Sequence, residues 1–141
     1  MENQYGLTKT ATDGYSQTEL LHKYFVYNNI RDDVEEETFE EWLKSAEEWK
    51  TQPVLGENNK LIAVVMIREN EIHVSIDQSY RGKWLNRGII RDIIGRLFYE
   101  YGTVKTCTTW GNKEAENFVS RLGFKPNLIN WVLEDYKWNR R

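Results

Sequence analysis

The sequence predicts an α/β fold in which a mixed sheet carries helices on both faces. Three observations point there. Residues 60–77 read as a β-hairpin, an apolar run and an alternating run around a two-residue turn. Residues 85–101 carry two adjacent rows of apolar side chains at helical spacing, a stripe wide enough to lie on a sheet. Residues 104–110 then return as a strand, so the passage from Ile72 to Trp110 is a strand–helix–strand crossover joining nearly parallel strands. At 141 residues the chain has the length of one ordinary domain.

Taken in order, residues 1–16 are polar without a sustained apolar period. They read as a loop or arm, or as an arm carrying a first strand near residues 5–10. Residues 17–30 predict a helix with Leu20, Leu21, Tyr24 and Phe25 on its inner side. A second helix starts at Thr38, with Glu41 at the capping-box spacing. Phe39, Trp42, Leu43 and Ala46 then repeat as one apolar face, and the early acids suit the helix dipole. Pro53 is expected to end this helix, before a short strand at 54–56 and a turn at Glu57-Asn58-Asn59. Residues 60–68 are apolar almost throughout, as in a strand buried on both faces.

Glu69-Asn70 makes the hairpin turn, with Asn70 as the residue that tolerates left-handed backbone. Beyond it Ile72, Val74 and Ile76 point one way, His73 and Ser75 the other. A polar, basic loop containing Gly82 spans 79–87. In the long helix, Leu85, Ile89, Ile93 and Leu97 form one row, with Ile90, Ile94, Phe98 and Tyr101 beside it, and Gly102 stops it. Asn112 caps a last helix with Ala115, Phe118, Val119 and Leu122 inward and Gly123 at its end. One further strand is expected at about 130–136.

Composition narrows the function classes. With 40% hydrophobic and 13% aromatic residues the chain is too rich in large side chains to be disordered. Its longest apolar run, 61–67, is far short of the roughly 20 residues that span a bilayer, so no membrane partner is expected. No charged-then-apolar leader precedes a small-residue cleavage site, which argues against a secretory route. Cys107 is the only cysteine, which excludes an internal disulfide or a multi-cysteine metal site. Two histidines, His22 and His73, argue against a His-based zinc site, and no metal is expected. A net charge of −3 argues weakly against general nucleic-acid binding.

The charge is polarised. Residues 31–50 hold nine acids against three bases, whereas 81–105 hold six bases against two acids. Arg81, Lys83, Arg87 and Arg91 oppose the dipole of the helix they precede and enter, at a cost of about 0.3–1 kcal/mol each when exposed. A cluster placed against that gradient points to a small anionic ligand or an anionic partner.

The passage Val74-Ser75-Ile76-Asp77-Gln78-Ser79-Tyr80-Arg81-Gly82-Lys83, the helix behind it, and Asn112-Lys113-Glu114-Ala115 with Phe118 and Leu122-Gly123-Phe124 resemble the GNAT superfamily of N-acetyltransferases. The resemblance covers about residues 17–138 and is most specific over 60–124. It implies a single GNAT-like domain over 1–141, with a mainly antiparallel, twisted sheet and one splayed parallel strand pair. In that family the splayed strand pairs with the pantetheine arm of acetyl-CoA, and the loop after it turns amide N–H groups to the pyrophosphate. The resemblance therefore implies acetyl-CoA as cofactor if the chain is active. It makes Ile76, Arg81, Gly82, Lys83, Trp84, Asn86, Arg87 and Asn112 the cofactor-binding positions. Glu71 and His73, on the strand that would splay, are candidate general bases.

Two departures bear on activity. In Arg81-Gly82-Lys83-Trp84-Leu85-Asn86, Trp84 and Asn86 stand where the family loop has its glycines. Val119 stands where many members carry a tyrosine that protonates the departing thiolate. Cys107 reads as a small core residue. Trp84 and Trp138 are the tryptophans that periodicity explains least, and exposed aromatics anchor protein interfaces. In these departures the chain is similar to the GNAT-like internal virion protein A type of short-tailed phages. That similarity implies a non-catalytic, virion-associated protein in the virion or host cytoplasm, with other phage or host proteins, or further copies of itself, as partners. The acidic helix at 35–48 and the basic segment at 81–91 would be complementary docking surfaces. An active acetyl-CoA-dependent N-acetyltransferase is the alternative, and an anti-host protein that binds a bacterial enzyme is a second one.

Overall fold

The computed structural model describes residues 5–7, 12–30, 36–80, 87–107, 113–126 and 131–134, with only the backbone of Arg87. Helices α1 (Gln17–Asn29) and α2 (Phe39–Ser45) come first. Strands β1 (Lys50–Leu55), β2 (Leu61–Arg68) and β3 (Glu71–Ile76) follow. The chain continues through α3 (Arg87–Tyr101), β4 (Val104–Thr106), α4 (Lys113–Arg121), β5 (Lys125–Pro126) and β6 (Trp131–Leu133). The strands form one six-stranded sheet in the order β1-β2-β3-β4-β6-β5. All neighbours are antiparallel except the crossover pair β3–β4, which is parallel.

Strand β2 divides two cores, because its alternate side chains leave on opposite faces. Ala63 and Val65 join Val54, Ile72 and the α3 row Ile90, Ile93, Ile94 and Leu97, with Val119 of α4. Val64 and Met66 join Leu20, Val26, Phe39, Trp42 and Leu43 beneath α1 and α2. The register skips Ile62 between Val54↔Ala63 and Leu55↔Leu61, a β-bulge that turns Ile62 to the α3 face beside Ala63. The apolar face of α2 and its capping box agree with the sequence. Thr38 Oγ1 accepts from the Glu41 amide at 3.2 Å, and Glu41 Oε1 accepts from the Thr38 amide at 3.2 Å.

Several expectations are corrected. Leu21 of α1 is 49% exposed, while Leu20, His22, Lys23 and Val26 are buried. Lys23 takes an inner place because its stem is apolar and its ammonium donates to Ala46 O, at the C-cap of α2, at 2.9 Å. Pro53 does not end a helix; α2 stops at Ser45, and Pro53 lies within β1. It pairs with Val64, whose own backbone groups turn to β3, so the missing N–H falls on the open edge of the sheet. In the hairpin turn the left-handed residue is Glu69, at φ 54°, and not Asn70. Asn70 instead donates its side-chain amide to Thr103 O at 3.2 Å, tying the hairpin to the start of β4.

Tyr101, assigned to the inner stripe, is exposed at the last turn of α3. Residues 5–7 form a turn and bend rather than a strand, with Leu7 buried against the α1–α2 core; residues 8–10 lie outside the described residues. The expected last strand is described as β6, which pairs antiparallel with β5, and residues 130, 135 and 136 lie outside the described residues.

A pH dependence follows from His22. It is buried, with Nδ1 3.1 Å from Thr51 Oγ1, and burial holds its pKa below the ordinary value against the opposing pull of Glu19. The unfolded chain takes up this proton near pH ~6.5, the folded chain only at lower pH. Stability therefore falls as pH drops through about 6.5, until the folded group also protonates. His22→Gln should flatten the decline of the urea midpoint between pH 7 and pH 5. Identical declines in both proteins would refute this role.

Candidate active site

The site begins with the backbone of β3. Its residues alternate, with Glu71, His73 and Ser75 bonded toward β2 and the even-numbered residues facing β4. The Lys105 amide donates to Asn70 O at 2.9 Å, and the two strands pair at Glu71↔Lys105. At the next step the Ile72 carbonyl accepts from the Thr106 hydroxyl, at 2.7 Å, the place a β4 amide would take in a continued ladder. Among the described residues the β3–β4 pairing goes no further. Strand β3 nevertheless runs on to Ile76, with the backbone of its even-numbered residues turned to the β4 side of the strand. The pair is parallel, as expected.

A polar cluster stands at the foot of this split, on the α1–α2 face of the sheet. Glu71 and His73 share that face two residues apart, with Glu71 Oε2 3.0 Å from His73 Nε2. Arg68, across the hairpin turn, donates to Glu71 Oε1 at 3.3 Å. Its guanidinium lies 4.4 Å over the Trp49 ring, and Trp49 meets the His73 ring edge-on at 4.9 Å. The four side chains thus close a ring that fixes the imidazole. Burial pushes the Glu71 carboxyl up, but His73 and Arg68 outweigh it and hold the group below the usual carboxylate range. Cys107, just past β4, brings its thiol to the same place. The nearest donor atoms of Glu71, His73 and Cys107 all lie within 4.8 Å of one another. Partial burial and the Glu71 charge push the thiol pKa up, against Lys105.

The structure therefore joins the two candidate bases and adds partners that sequence reasoning missed. Arg68 was findable, since a cation directly opposite Glu71 across a two-residue turn is a cross-strand pair. Cys107 was expected in the core and is exposed, because it sits where β4 leaves its neighbour. Val119 is 6% exposed and packs in the α3–α4 core, so that position offers nothing to the site. Ile76 is half-buried against the same core, and Arg91 is half-buried one turn into α3. Arg87 opens α3, and its side chain is not among those described. Arg81, Gly82, Lys83, Trp84, Asn86 and Asn112, with Trp138, lie outside the described residues. Among the described residues, no helix is long and apolar enough to cross a membrane.

No family model and no curated protein matches the chain by sequence. Solved structures do match by shape. A chimera built on the Vibrio cholerae spermidine N-acetyltransferase superposes at a TM-score of 0.59 and 16% identity, over 81% of this chain and 88% of that one. The Escherichia coli ribosomal-protein-S18-alanine N-acetyltransferase matches at 0.57 and 16%, over 89% and 95%. A Staphylococcus aureus acetyltransferase of the GNAT family matches at 0.56 and 13%, over 84% and 92%. The chain has the GNAT fold.

Proposed function

We propose that this chain binds an acyl-CoA along the β4-facing edge of β3 and transfers the acyl group to an amine. The observation that carries this reading is that, among the described residues, the β3–β4 ladder ends at Ile72 while β3 continues four residues beyond it. A strand edge accepts an extended, amide-bearing chain by strand-like hydrogen bonding, and Val74 is the residue whose backbone would hold a pantetheine arm, with Ile76 next along the strand. Arg81, Lys83 and Arg87, after β3 and at the start of α3, supply positive charge for the phosphates. Gly82, Trp84, Asn86 and Asn112 complete the proposed binding positions.

Bound there, acyl-CoA supplies the activated thioester carbonyl. The chain's own part is to hold the amine and take its proton. Glu71, kept ionised, orients His73 through Nε2 and stabilises the imidazolium, so that His73 accepts the amine proton directly or through one water. The same proton then balances the departing thiolate, a role for which Val119 has no group. Titration of the full chain with acetyl-CoA, followed by calorimetry and thermal unfolding, tests the reading. Saturable micromolar binding is expected, with about 2.7 kcal/mol of added stability at about 100 times Kd. The double substitution Arg81→Glu, Arg87→Glu should abolish it, and no response at millimolar ligand would refute it.

A second reading is favoured by Trp84 and Asn86 at the loop's glycine positions, and by a Val119 turned into the core. In it the fold serves a non-catalytic, virion-associated protein whose partners are other phage proteins. Mass spectrometry of purified particles decides it: the chain is found within them, or this reading fails.

A further inference from the structure

We propose that Glu71, His73 and Cys107 form a binding site for a divalent transition metal of the zinc type at the mouth of the β3–β4 split. The donors are one carboxylate oxygen, one imidazole nitrogen and one thiol sulfur, the set that zinc takes from proteins. A point equidistant from three atoms 4.8 Å apart, the widest spacing here, lies about 2.8 Å from each. Zinc bonds of roughly 2.0–2.3 Å require closing by about 0.5–0.8 Å. Rotation of the exposed Cys107 side chain supplies that movement. The carboxylate and a metal-bound thiolate neutralise the two positive charges, and the exposed side leaves a fourth position for water.

The surroundings are those of a prepared ligand set. Arg68 engages Glu71 Oε1 and leaves Oε2, which already faces His73 Nε2, as the metal-facing atom. Trp49 packs against the imidazole and limits its rotation. Such outer contacts orient ligands and raise affinity. Hard cations are disfavoured, since calcium and magnesium take six or more oxygens, and a thiol and an imidazole are poor substitutes. The three donors come from one strand and the end of its parallel neighbour, so the register Glu71↔Lys105 brings them together without a dedicated loop.

Metal held between Glu71 Oε2 and His73 Nε2 replaces the contact by which Glu71 would orient the imidazole and stabilise its cation, so zinc would switch off acyl transfer. This consequence depends on the acyl-transfer reading, whereas the binding itself does not. The test uses the full chain without any CoA, titrated first with Co²⁺. One equivalent should give a thiolate-to-cobalt charge-transfer band in the near ultraviolet and intense four-coordinate visible bands, and one equivalent of Zn²⁺ should displace it. Cys107→Ser, at an exposed position that leaves no cavity, should remove the charge-transfer band and weaken Zn²⁺ at least tenfold. His73→Gln should weaken it similarly. A cobalt spectrum without the thiolate band, or a zinc affinity unchanged by both substitutions, overturns the site. A chain that binds Zn²⁺ but not acetyl-CoA refutes acyl transfer alone. One that binds acetyl-CoA but not Zn²⁺ refutes the metal site alone.

Discussion

If the chain transfers acyl groups as proposed, Glu71→Gln should lower kcat by about 10²–10⁴-fold while leaving acetyl-CoA affinity close to wild type. The substitution keeps size and planarity, so Arg68 and Trp49 retain their packing, but it removes the negative charge 3.0 Å from His73 Nε2. Without that charge the imidazole loses the partner that orients it and stabilises its cation. His73→Gln should cost a similar factor, because it removes the proton acceptor itself. The double variant should be little worse than either single one, since groups that act as a unit are not additive. Binding should be spared because the proposed pantetheine edge is backbone on the β4-facing side of β3, whereas Glu71 and His73 are side chains on the α1–α2 face. Steady-state rates with a panel of primary amines check this, and a kcat within threefold of wild type would remove Glu71 from the mechanism.

Lys23→Ala should destabilise the fold by roughly 3–5 kcal/mol, the largest stability effect expected of a charged residue here. Lys23 is 1% exposed, donates to Ala46 O at 2.9 Å and lies 4.6 Å from the centre of the Tyr15 ring. Burial depresses its pKa, with Glu19 and Glu47 opposing. Truncation removes a stem worth about 0.8 kcal/mol per methylene, opens a cavity between α1 and α2, and leaves the C-cap carbonyl of α2 with the Trp49 amide, at 3.1 Å, but without its charged donor. Lys23→Met keeps most of the stem and should cost only about 1–2 kcal/mol, the share of the unmade hydrogen bond. Urea unfolding of the three proteins separates the contributions. A loss below 1 kcal/mol for Lys23→Ala would show that the ammonium is not part of the core.

What the sequence made legible was whatever is local and periodic. The apolar faces of α2 and α3, the Thr38–Glu41 box, the two-sided burial of β2 and the hairpin all follow from residues within a few positions of one another. What it hid depended on tertiary partners. Lys23 counts as polar by composition, yet the carbonyl of Ala46 makes it a core residue. Pro53 signals a break, yet at the open edge of β1 its missing N–H costs no ladder bond. Glu71 and His73 were candidates because the GNAT resemblance places them on the strand that would splay, but their union with Cys107 was not readable. That depends on a single parallel register far along the chain.

The most direct test of the central claim is an amide-resolved NMR titration with acetyl-CoA. The account predicts that the Val74 amide shifts saturably and becomes protected from hydrogen exchange, while the His73 and Ser75 amides, bonded toward β2, change little. Saturable binding that leaves Val74 unperturbed, or no binding at millimolar ligand, would contradict it.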